Sequence, residues 1–176
     1  EERVRPREDV DLTSHLSSTL RSLAPLAEDA GVTLSLEAPE DPVTIPGDAD
    51  QLQQVFANLV ENAIKYGGGQ VRLVLTQSDR DPAVRAAAAR IQVIDNGPGI
   101  DPVHLPRLTE RFYRADSHRS REMGGTGLGL AIAQRLAGLM GGEIAAQPSE
   151  DGGAQFRVSL PIPESLVADT DPRLAK

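Results

Sequence analysis

Apolar residues recur at helical spacing in three stretches of the chain and alternate with polar residues in several others. Glycine follows each stretch of helical spacing, and glycine commonly ends helices. The spacing predicts helices over 11–30, 48–66 and 126–140. The alternation predicts strands near 32–37, 43–45, 71–75, 91–94, 143–147 and 154–160.

The order of these elements favours one fold class. Two strands follow each predicted helix, and an irregular segment over 101–125, with a short helix near 103–114, precedes the third helix. The polar residues 77–87 are expected to form a loop between two strands. Because the strands come in adjacent pairs, a doubly wound parallel sheet is disfavoured. The sequence therefore predicts an α+β fold, a two-layer α/β sandwich in which helices cover one face of a mixed sheet.

Length and composition indicate one ordinary globular domain. The chain has 176 residues, 39% of them hydrophobic, and no apolar run of the length that crosses a bilayer. We expect a charged linker over 1–10, a single domain over 11–163 and a flexible tail over 164–176. Since the chain opens on Glu1 without a Met, we expect a piece of a longer protein.

Charge and residue counts exclude several classes of function. The formal net charge of −8 and the aromatic content of 3% disfavour nucleic-acid binding. The absence of Cys excludes disulfides and thiolate chemistry. Only three scattered His are present, which argues against a His-rich metal site.

One side of the second predicted helix is polar in a way that could hold a ligand. Four residues at spacings i, i+4, i+7 and i+8 share this side, namely Asn58, Asn62, Lys65 and Tyr66. An Asn carbonyl oxygen is a suitable ligand for Mg²⁺, and a Lys ammonium group suits phosphate. The alternative is a solvated face on which these residues align by chance.

Two glycine-containing segments could approach a ligand closely. Asp95 directly follows a strand and could accept a hydrogen bond from an exocyclic amine such as that of adenine, while Gly97 and Gly99 permit close approach. The same residues could instead form a tight turn capped by Asp95. Residues 124–130 place four glycines before a helix whose N-terminus suits phosphate, although a flexible hinge also uses glycines.

A basic segment lies between the two glycine-containing segments. Residues 107–121 contain five Arg and His118 against two acidic residues. This composition favours a mobile lid over an anionic ligand, with a solvated loop as the alternative. Together, the polar helix face, the two glycine segments and the basic segment indicate a nucleoside triphosphate with Mg²⁺.

In combination, these motifs resemble the ATP-binding catalytic domain (HATPase_c, GHKL type) of bacterial sensor histidine kinases, in the wider group with gyrase B, the Hsp90 chaperones and MutL. Residues 58–66 look like the N box and residues 95–100 like the G1 box. Residues 110–114 look like the F box and residues 125–130 like the G2 box. The resemblance implies the two-layer sandwich with a mobile lid that the element order also predicts.

The resemblance implies roles for individual residues. The metal ligand would be Asn62. The phosphates and ribose would meet the N-box residues Asn58, Asn62, Lys65 and Tyr66. The adenine would meet Asp95, Gly97 and Gly99. The lid and the triphosphate loop would contribute Phe112, Arg114, Gly125, Thr126, Gly127, Leu128 and Gly129.

Three positions bear on the reaction that the resemblance implies. The hydrolytic branches of the group place a Glu where this chain has Asn58, so efficient ATP hydrolysis is not expected. Glu61 is a weaker candidate for a catalytic carboxylate, and it joins Asn58, Asn62 and Lys65 as the implied catalytic set. The final turn carries Ala154 where the family usually has Thr, so one adenine-side hydroxyl is missing.

By resemblance, the domain binds Mg·ATP and donates the γ-phosphate to a His on a separate dimerisation domain, for transfer to an Asp of a response-regulator receiver domain. His15 does not match the phosphoacceptor segment, so this chain alone is not expected to autophosphorylate. We expect a monomeric cytoplasmic domain whose parent is a homodimer in the cytoplasmic (inner) membrane.

Two further interpretations concern the class of the parent protein. Residues 108–116 and 120–125 look most like phosphate-sensing, PhoR-type kinases. The alternative function is a nucleotide-binding regulatory module, such as a degenerate kinase or an anti-sigma-like protein, that acts through protein contacts.

Overall fold

A computed structural model describes residues 8–66, 68–98, 128–149, 152–163 and 166. Within these ranges the chain forms seven strands and three helices. The strands are β1 (Glu8–Asp11), β2 (Thr33–Glu37), β3 (Thr44–Gly47), β4 (Gln70–Asp81), β5 (Ala86–Asp95), β6 (Glu143–Pro148) and β7 (Ala154–Pro161). The helices are α1 (Leu12–Ala30), α2 (Ala49–Tyr66) and α3 (Leu128–Leu139).

The main sheet is mixed, as the sequence predicts. Its five strands follow the order β2-β4-β5-β7-β6. The β2–β4 pair is parallel, and the other three pairs are antiparallel. Strand β5 is therefore central, and its last residue, Asp95, pairs with Val71 of β4. This arrangement places the carboxyl end of β5 between the start of β4 and the start of β7.

The helices pack together and cover the apolar face of the sheet. Helix α2 contacts α1 on one side, α3 on the other, and β4 and β5 beneath it. The apolar stripe predicted for α2 is buried throughout, with Leu52, Val55, Phe56, Leu59, Val60, Ala63 and Ile64 at most 3% exposed. The predicted two-layer α/β sandwich is confirmed. No helix in the described ranges is long and apolar enough to cross a membrane.

The N-terminal region differs from the sequence prediction. Residues 8–10, assigned to a linker, form β1 together with Asp11 and pair antiparallel with β3. The strand predicted near 43–45 is thus part of a separate two-stranded sheet rather than a neighbour of β2. The N–H group of Leu12 also donates to the Val43 carbonyl at 2.8 Å. Alternation predicts a strand but not its partner. Because β1 is rich in acidic residues, it looks like part of a charged linker, and its pairing with β3 was not predicted.

The loop predicted over 77–87 is too long, because β4 continues to Asp81 and β5 begins at Ala86, so that only residues 82–85 form the turn of a hairpin. Asp81, at the end of β4, is fully buried, and it accepts hydrogen bonds from the Ala83 N–H at 2.8 Å and from Arg90 Nη2 at 2.8 Å. Burial raises the pKa of Asp81, but these hydrogen bonds and the charges of Arg90 and Arg157 hold it below its ordinary value of 3.8. In the sequence, an acidic residue that is buried and paired in the fold cannot be distinguished from an acidic residue of an exposed loop.

Candidate functional site

Helix α2 presents its polar side away from the core. The helix begins after Asp48, whose Oδ1 accepts hydrogen bonds from the N–H groups of Asp50 at 2.9 Å and Gln51 at 3.1 Å. Because the apolar stripe occupies the opposite side, the predicted ligand-binding residues remain accessible. Asn58, Glu61 and Asn62 are half-buried, and Lys65 is exposed. The shared face predicted for the N-box residues is therefore available to a ligand.

The start of α3 lies beside this face. Asn58 Nδ2 donates to the carbonyl of Gly129 at 3.1 Å, across 71 residues of sequence. The first N–H groups of a helix have no partner within the helix, and they form the positive end of its dipole. The Asn58–Gly129 contact therefore brings a helix N-terminus, a structure that can bind an anion, next to the polar face of α2.

The carboxylate of Asp95 is oriented by backbone groups at the end of β5. Its Oδ1 accepts hydrogen bonds from the Gly97 N–H at 2.9 Å and from the Ala154 N–H at 3.3 Å. Within the described ranges, no donor reaches Oδ2. One oxygen is thus used for orientation, and the other can accept a hydrogen bond from a ligand amine.

Gly153 lies at the candidate site beside Asp95 and is not among the site residues predicted from the sequence. A Cβ at this position would collide with the backbone carbonyl oxygen of Asp95, and it would lie 2.8 Å from the carbonyl carbon. Only glycine lets the start of β7 come this close to the end of β5. The signal was a glycine before a strand, but nothing in the local sequence indicates which strand it contacts.

Ala154 supplies a backbone group rather than a hydroxyl. The family that the motifs resemble usually has Thr at this position, so the sequence predicts the loss of one hydroxyl on the adenine side. The N–H group of Ala154 nevertheless donates to Asp95 Oδ1, so the orientation of the carboxylate does not depend on a hydroxyl here.

The segment that follows α2 packs against Asn96, the residue next to Asp95 in the chain. A Cβ on Gly68, two residues after the helix, would lie 2.5 Å from Asn96 Oδ1. The site therefore has two ends joined by α2: the Asp95 end beside the helix C-terminus, and the α3 end beside Asn58. The eight steps from Asn58 to Tyr66 correspond to about 12 Å along the helix axis.

The residues present are compatible with Mg²⁺. No group of three or more His, Cys, Asp or Glu side chains in the described part of the chain could form a protein cage for a metal. Asn62 is half-buried and has no hydrogen-bond partner among the described residues, so its carbonyl oxygen is available. Mg²⁺ bound to a nucleotide commonly takes one or two protein oxygens and completes its shell with phosphate and water. A single Asn ligand satisfies that requirement.

Several predicted site residues lie outside the described ranges. They are Gly99, Phe112, Arg114, Gly125, Thr126 and Gly127, together with the predicted lid and the short helix near 103–114. For Tyr66 and Leu128 only the backbone is described. The predicted nucleotide contacts of these residues stay predictions.

His15 is placed for packing rather than for phosphotransfer. Its Nε2 lies 2.9 Å from the Ala49 carbonyl oxygen, and its ring packs edge-on against Phe56 with centroids 5.8 Å apart. Because a carbonyl oxygen can only accept, Nε2 carries the proton in this contact. The ring therefore connects α1 to the start of α2.

Comparisons with known proteins agree with this geometry. The family model for histidine kinase-, DNA gyrase B- and HSP90-like ATPases matches residues 47–164. The chain is 37% identical over 165 residues to the signal transduction histidine-protein kinase AfsQ2 of Streptomyces coelicolor. That match covers 93% of this chain and 28% of AfsQ2.

Solved structures give the same result. Full-length ShkA in complex with AMPPNP is 29% identical, with a TM-score of 0.73 over 88% of this chain and 31% of ShkA. The ATP-binding domain of PrrB from Mycobacterium tuberculosis is 27% identical, with a TM-score of 0.70 over 91% of this chain and all of that domain. This chain belongs to the histidine kinase-, DNA gyrase B- and HSP90-like ATPase family, in the branch formed by sensor histidine kinases. The family predicted from the motifs is thus confirmed.

Proposed function

We propose that this chain is the catalytic, ATP-binding domain of a sensor histidine kinase, and that Mg·ATP lies along α2 between the end of β5 and the start of α3. The observation that carries the proposal is that the candidate site along α2 has two ends with different chemistry. A carboxylate with one unused oxygen lies at one end, and a helix N-terminus lies at the other.

At the base end, Asp95 would accept a hydrogen bond from the exocyclic amine of adenine. Guanine carries a carbonyl oxygen at the corresponding position, which would face the carboxylate and repel it. Gly97 and Gly99 would let the backbone approach the ring. This end would therefore favour ATP over GTP.

At the phosphate end, the N–H groups of α3 and the side chains of Asn58 and Lys65 would hold the triphosphate. Lys65 is exposed and has no ion-pair partner among the described residues, so its ammonium group is available. Asn62 would hold Mg²⁺, which neutralises charge on the phosphate oxygens when it is bound. We expect Tyr66, Phe112, Arg114 and residues 125–128 to complete the contacts.

The reaction would transfer the γ-phosphoryl group to a His nitrogen on a separate domain. The bond from the γ-phosphorus to its bridging oxygen breaks, a phosphorus–nitrogen bond forms, and ADP leaves. The contribution of this chain is positioning and charge neutralisation, the main protein contributions in phosphoryl transfer. Asn58 cannot act as a base toward water, which favours transfer over hydrolysis, and Glu61 is the carboxylate nearest to this role.

The partners follow from the same proposal. The chain spans 28% of AfsQ2, and we propose that the phosphoacceptor His lies on a separate dimerisation domain. We propose that the parent is a homodimer in the cytoplasmic membrane, and that a response-regulator Asp receives the phosphoryl group. The domain limit at 163, the monomeric state of the isolated domain and the PhoR-type resemblance stay predictions, whereas β1 begins at Glu8, before the predicted limit at 11.

A calorimetric titration tests the binding step. We expect ATP to bind with higher affinity in Mg²⁺ than in chelator, and GTP to bind more weakly than ATP. In the Asp95→Asn variant, the amide oxygen would take the place of Oδ1, which the Gly97 and Ala154 N–H groups hold, so the NH₂ group would face the adenine amine. The ATP affinity should therefore fall about 10- to 100-fold. Equal binding of ATP and GTP by the natural chain would contradict the adenine role.

A second measurement separates the kinase from a regulatory module. A homologous His-bearing dimerisation domain, added in trans with radiolabelled ATP, should become labelled on His. Tight ATP binding with no labelled His, combined with capture of a protein partner only when ATP is present, would favour the regulatory module instead.

A further inference from the structure

Asn96 occupies the point where β5, β4 and the end of α2 meet. Its Oδ1 accepts a hydrogen bond from the Gln70 N–H at 2.9 Å. Asp95 pairs with Val71, so in an antiparallel ladder Gln70 and Asn96 are the next pair. Asn96 lies one residue beyond the end of β5, and its side-chain oxygen Oδ1 accepts the hydrogen bond from the Gln70 N–H group.

The same side chain also contacts the segment that leaves α2. A Cβ on Gly68 would lie 2.5 Å from Asn96 Oδ1, 2.9 Å from its carbonyl oxygen and 3.0 Å from its carbonyl carbon. Rotation of the Asn96 side chain could relieve the first of these contacts but not the two with the backbone. Gly68 and Asn96 are therefore packed directly against each other.

These contacts bear on the direction of Asp95. Asn96 lies between Asp95 and Gly97, whose N–H group orients the carboxylate at 2.9 Å. A shift of the Asn96 peptide would change that hydrogen bond and the direction of Asp95 Oδ2. Because Asn96 is exposed and its Nδ2 has no partner among the described residues, the acceptor oxygen is the part of the side chain that makes the connection.

We propose that Asn96 is a positioning residue for nucleotide binding: its side-chain oxygen Oδ1 holds the Asp95–Gly97 turn to the N–H group of Gln70, beside Gly68, so that Asp95 faces the adenine. The inference rests on the proposed adenine contact of Asp95. It adds a residue that does not touch the nucleotide, and it explains how the end of α2 and the end of β5 keep a common position.

The test compares three variants by calorimetry with ATP and with ADP. Asn96→Ala removes the acceptor and should weaken ATP and ADP by the same factor of about 3- to 10-fold, because the two nucleotides share the base. Asn96→Asp keeps an acceptor oxygen and should recover most of the affinity, since its added charge is exposed and screened. Gln70→Ala removes an exposed side chain but keeps the donating N–H, so it should bind as the natural chain does.

The outcomes distinguish this inference from the proposed function. Wild-type affinity in Asn96→Ala, while Asp95→Asn loses binding, would overturn the positioning role and leave the adenine contact standing. Wild-type affinity in Asp95→Asn would overturn the adenine contact itself, and the role of Asn96 with it. A lower melting temperature for both Asn96 variants, with equal affinities below it, would indicate a role in folding alone and would also overturn the inference.

Gly68→Ala reaches the same contact from the other side. Its Cβ would displace the Asn96 backbone, so ATP and ADP should again weaken by a common factor of about 3- to 10-fold. Gly69→Ala is the matched control, because a Cβ at that neighbouring position meets nothing within 4 Å. Equal affinities for these two glycine variants would contradict the proposal.

Discussion

The two ends of the proposed nucleotide site are held together by different kinds of contact. At the base end, backbone N–H groups orient Asp95. The start of β7 also lies so close to the end of β5 that only glycine fits at position 153. At the phosphate end, a side-chain amide connects Asn58 to Gly129 at 3.1 Å. Glycine substitutions at the base end should therefore act by displacing the backbone, whereas substitutions at the phosphate end should act by removing a functional group.

The largest effect is expected at the phosphate end, from removal of the proposed metal ligand. Asn62→Ala should abolish the stimulation of ATP binding by Mg²⁺ and reduce phosphotransfer to an added His domain by about 100-fold. Asn62→Asp keeps an oxygen ligand and should remain dependent on Mg²⁺. Gln54→Ala, an exposed amide earlier on α2, is the matched control. Normal Mg²⁺ stimulation in Asn62→Ala would show that the metal is held elsewhere.

Gly153→Ala tests whether the base end depends on the backbone. The added Cβ overlaps the Asp95 carbonyl, and overpacking of this kind costs about 1–3 kcal/mol. We expect a lower melting temperature and about 10-fold weaker binding of ATP and of ADP alike. Gly138→Ala, where a Cβ meets nothing within 4 Å on an exposed helix position, should retain both properties. Unchanged ATP affinity in Gly153→Ala would mean that β7 does not shape the base end.

Asn58→Ala tests the difference between the two ends of the site, because it should lower the affinity for ATP more than the affinity for ADP. The variant loses the hydrogen bond to Gly129 and a polar group beside the proposed position of the triphosphate. We expect ATP affinity to fall about 3- to 10-fold and ADP affinity to fall less. This pattern differs from the common factor expected for base-end variants. An equal loss for the two nucleotides would remove the distinction between the ends.

The parts of the fold that were predictable depend on local periodicity. The apolar stripe of α2 and the polar face opposite it follow from residues a few positions apart, so the helix and its candidate ligands could be inferred together. Asp95 could be proposed as a site residue because its motif is contiguous in the chain. The mixed two-layer sandwich followed from the order of such segments.

Most of the missed features depend on which distant segments meet. Gly153 and Asn96 are important because β7 and the end of α2 pack against the end of β5, and no local pattern shows those partners. The pairing of β1 with β3 was missed for the same reason. The β4–β5 hairpin was missed because Asp81 looks polar in sequence, yet it is buried and paired with Arg90 in the fold.

Asp81 provides the smallest expected effect on nucleotide binding, and it tests whether the base end is independent of the far end of β5. Ala86, which pairs with Asp81, is nine residues from Asp95 along β5, or about 30 Å. Asp81→Asn should therefore leave the ATP affinity within about 2-fold of the natural value. Its effect should be on stability, because the buried Arg90 pairing loses its charge.

The pH dependence identifies that contribution. The pKa of Asp81 is lower in the folded chain than its ordinary value of 3.8, so the folded state favours the ionised form. The resulting stability is present above pH 3.8 and is lost as the pH falls through the folded pKa. Urea unfolding at pH 7 should show Asp81→Asn less stable by about 1–3 kcal/mol, and the difference should shrink below pH 3.8. Glu37→Gln, which breaks the exposed pair with Arg72, should change stability by less than about 1 kcal/mol. Weakened ATP binding in Asp81→Asn would instead connect the two ends of β5, and the base end could no longer be treated as locally determined.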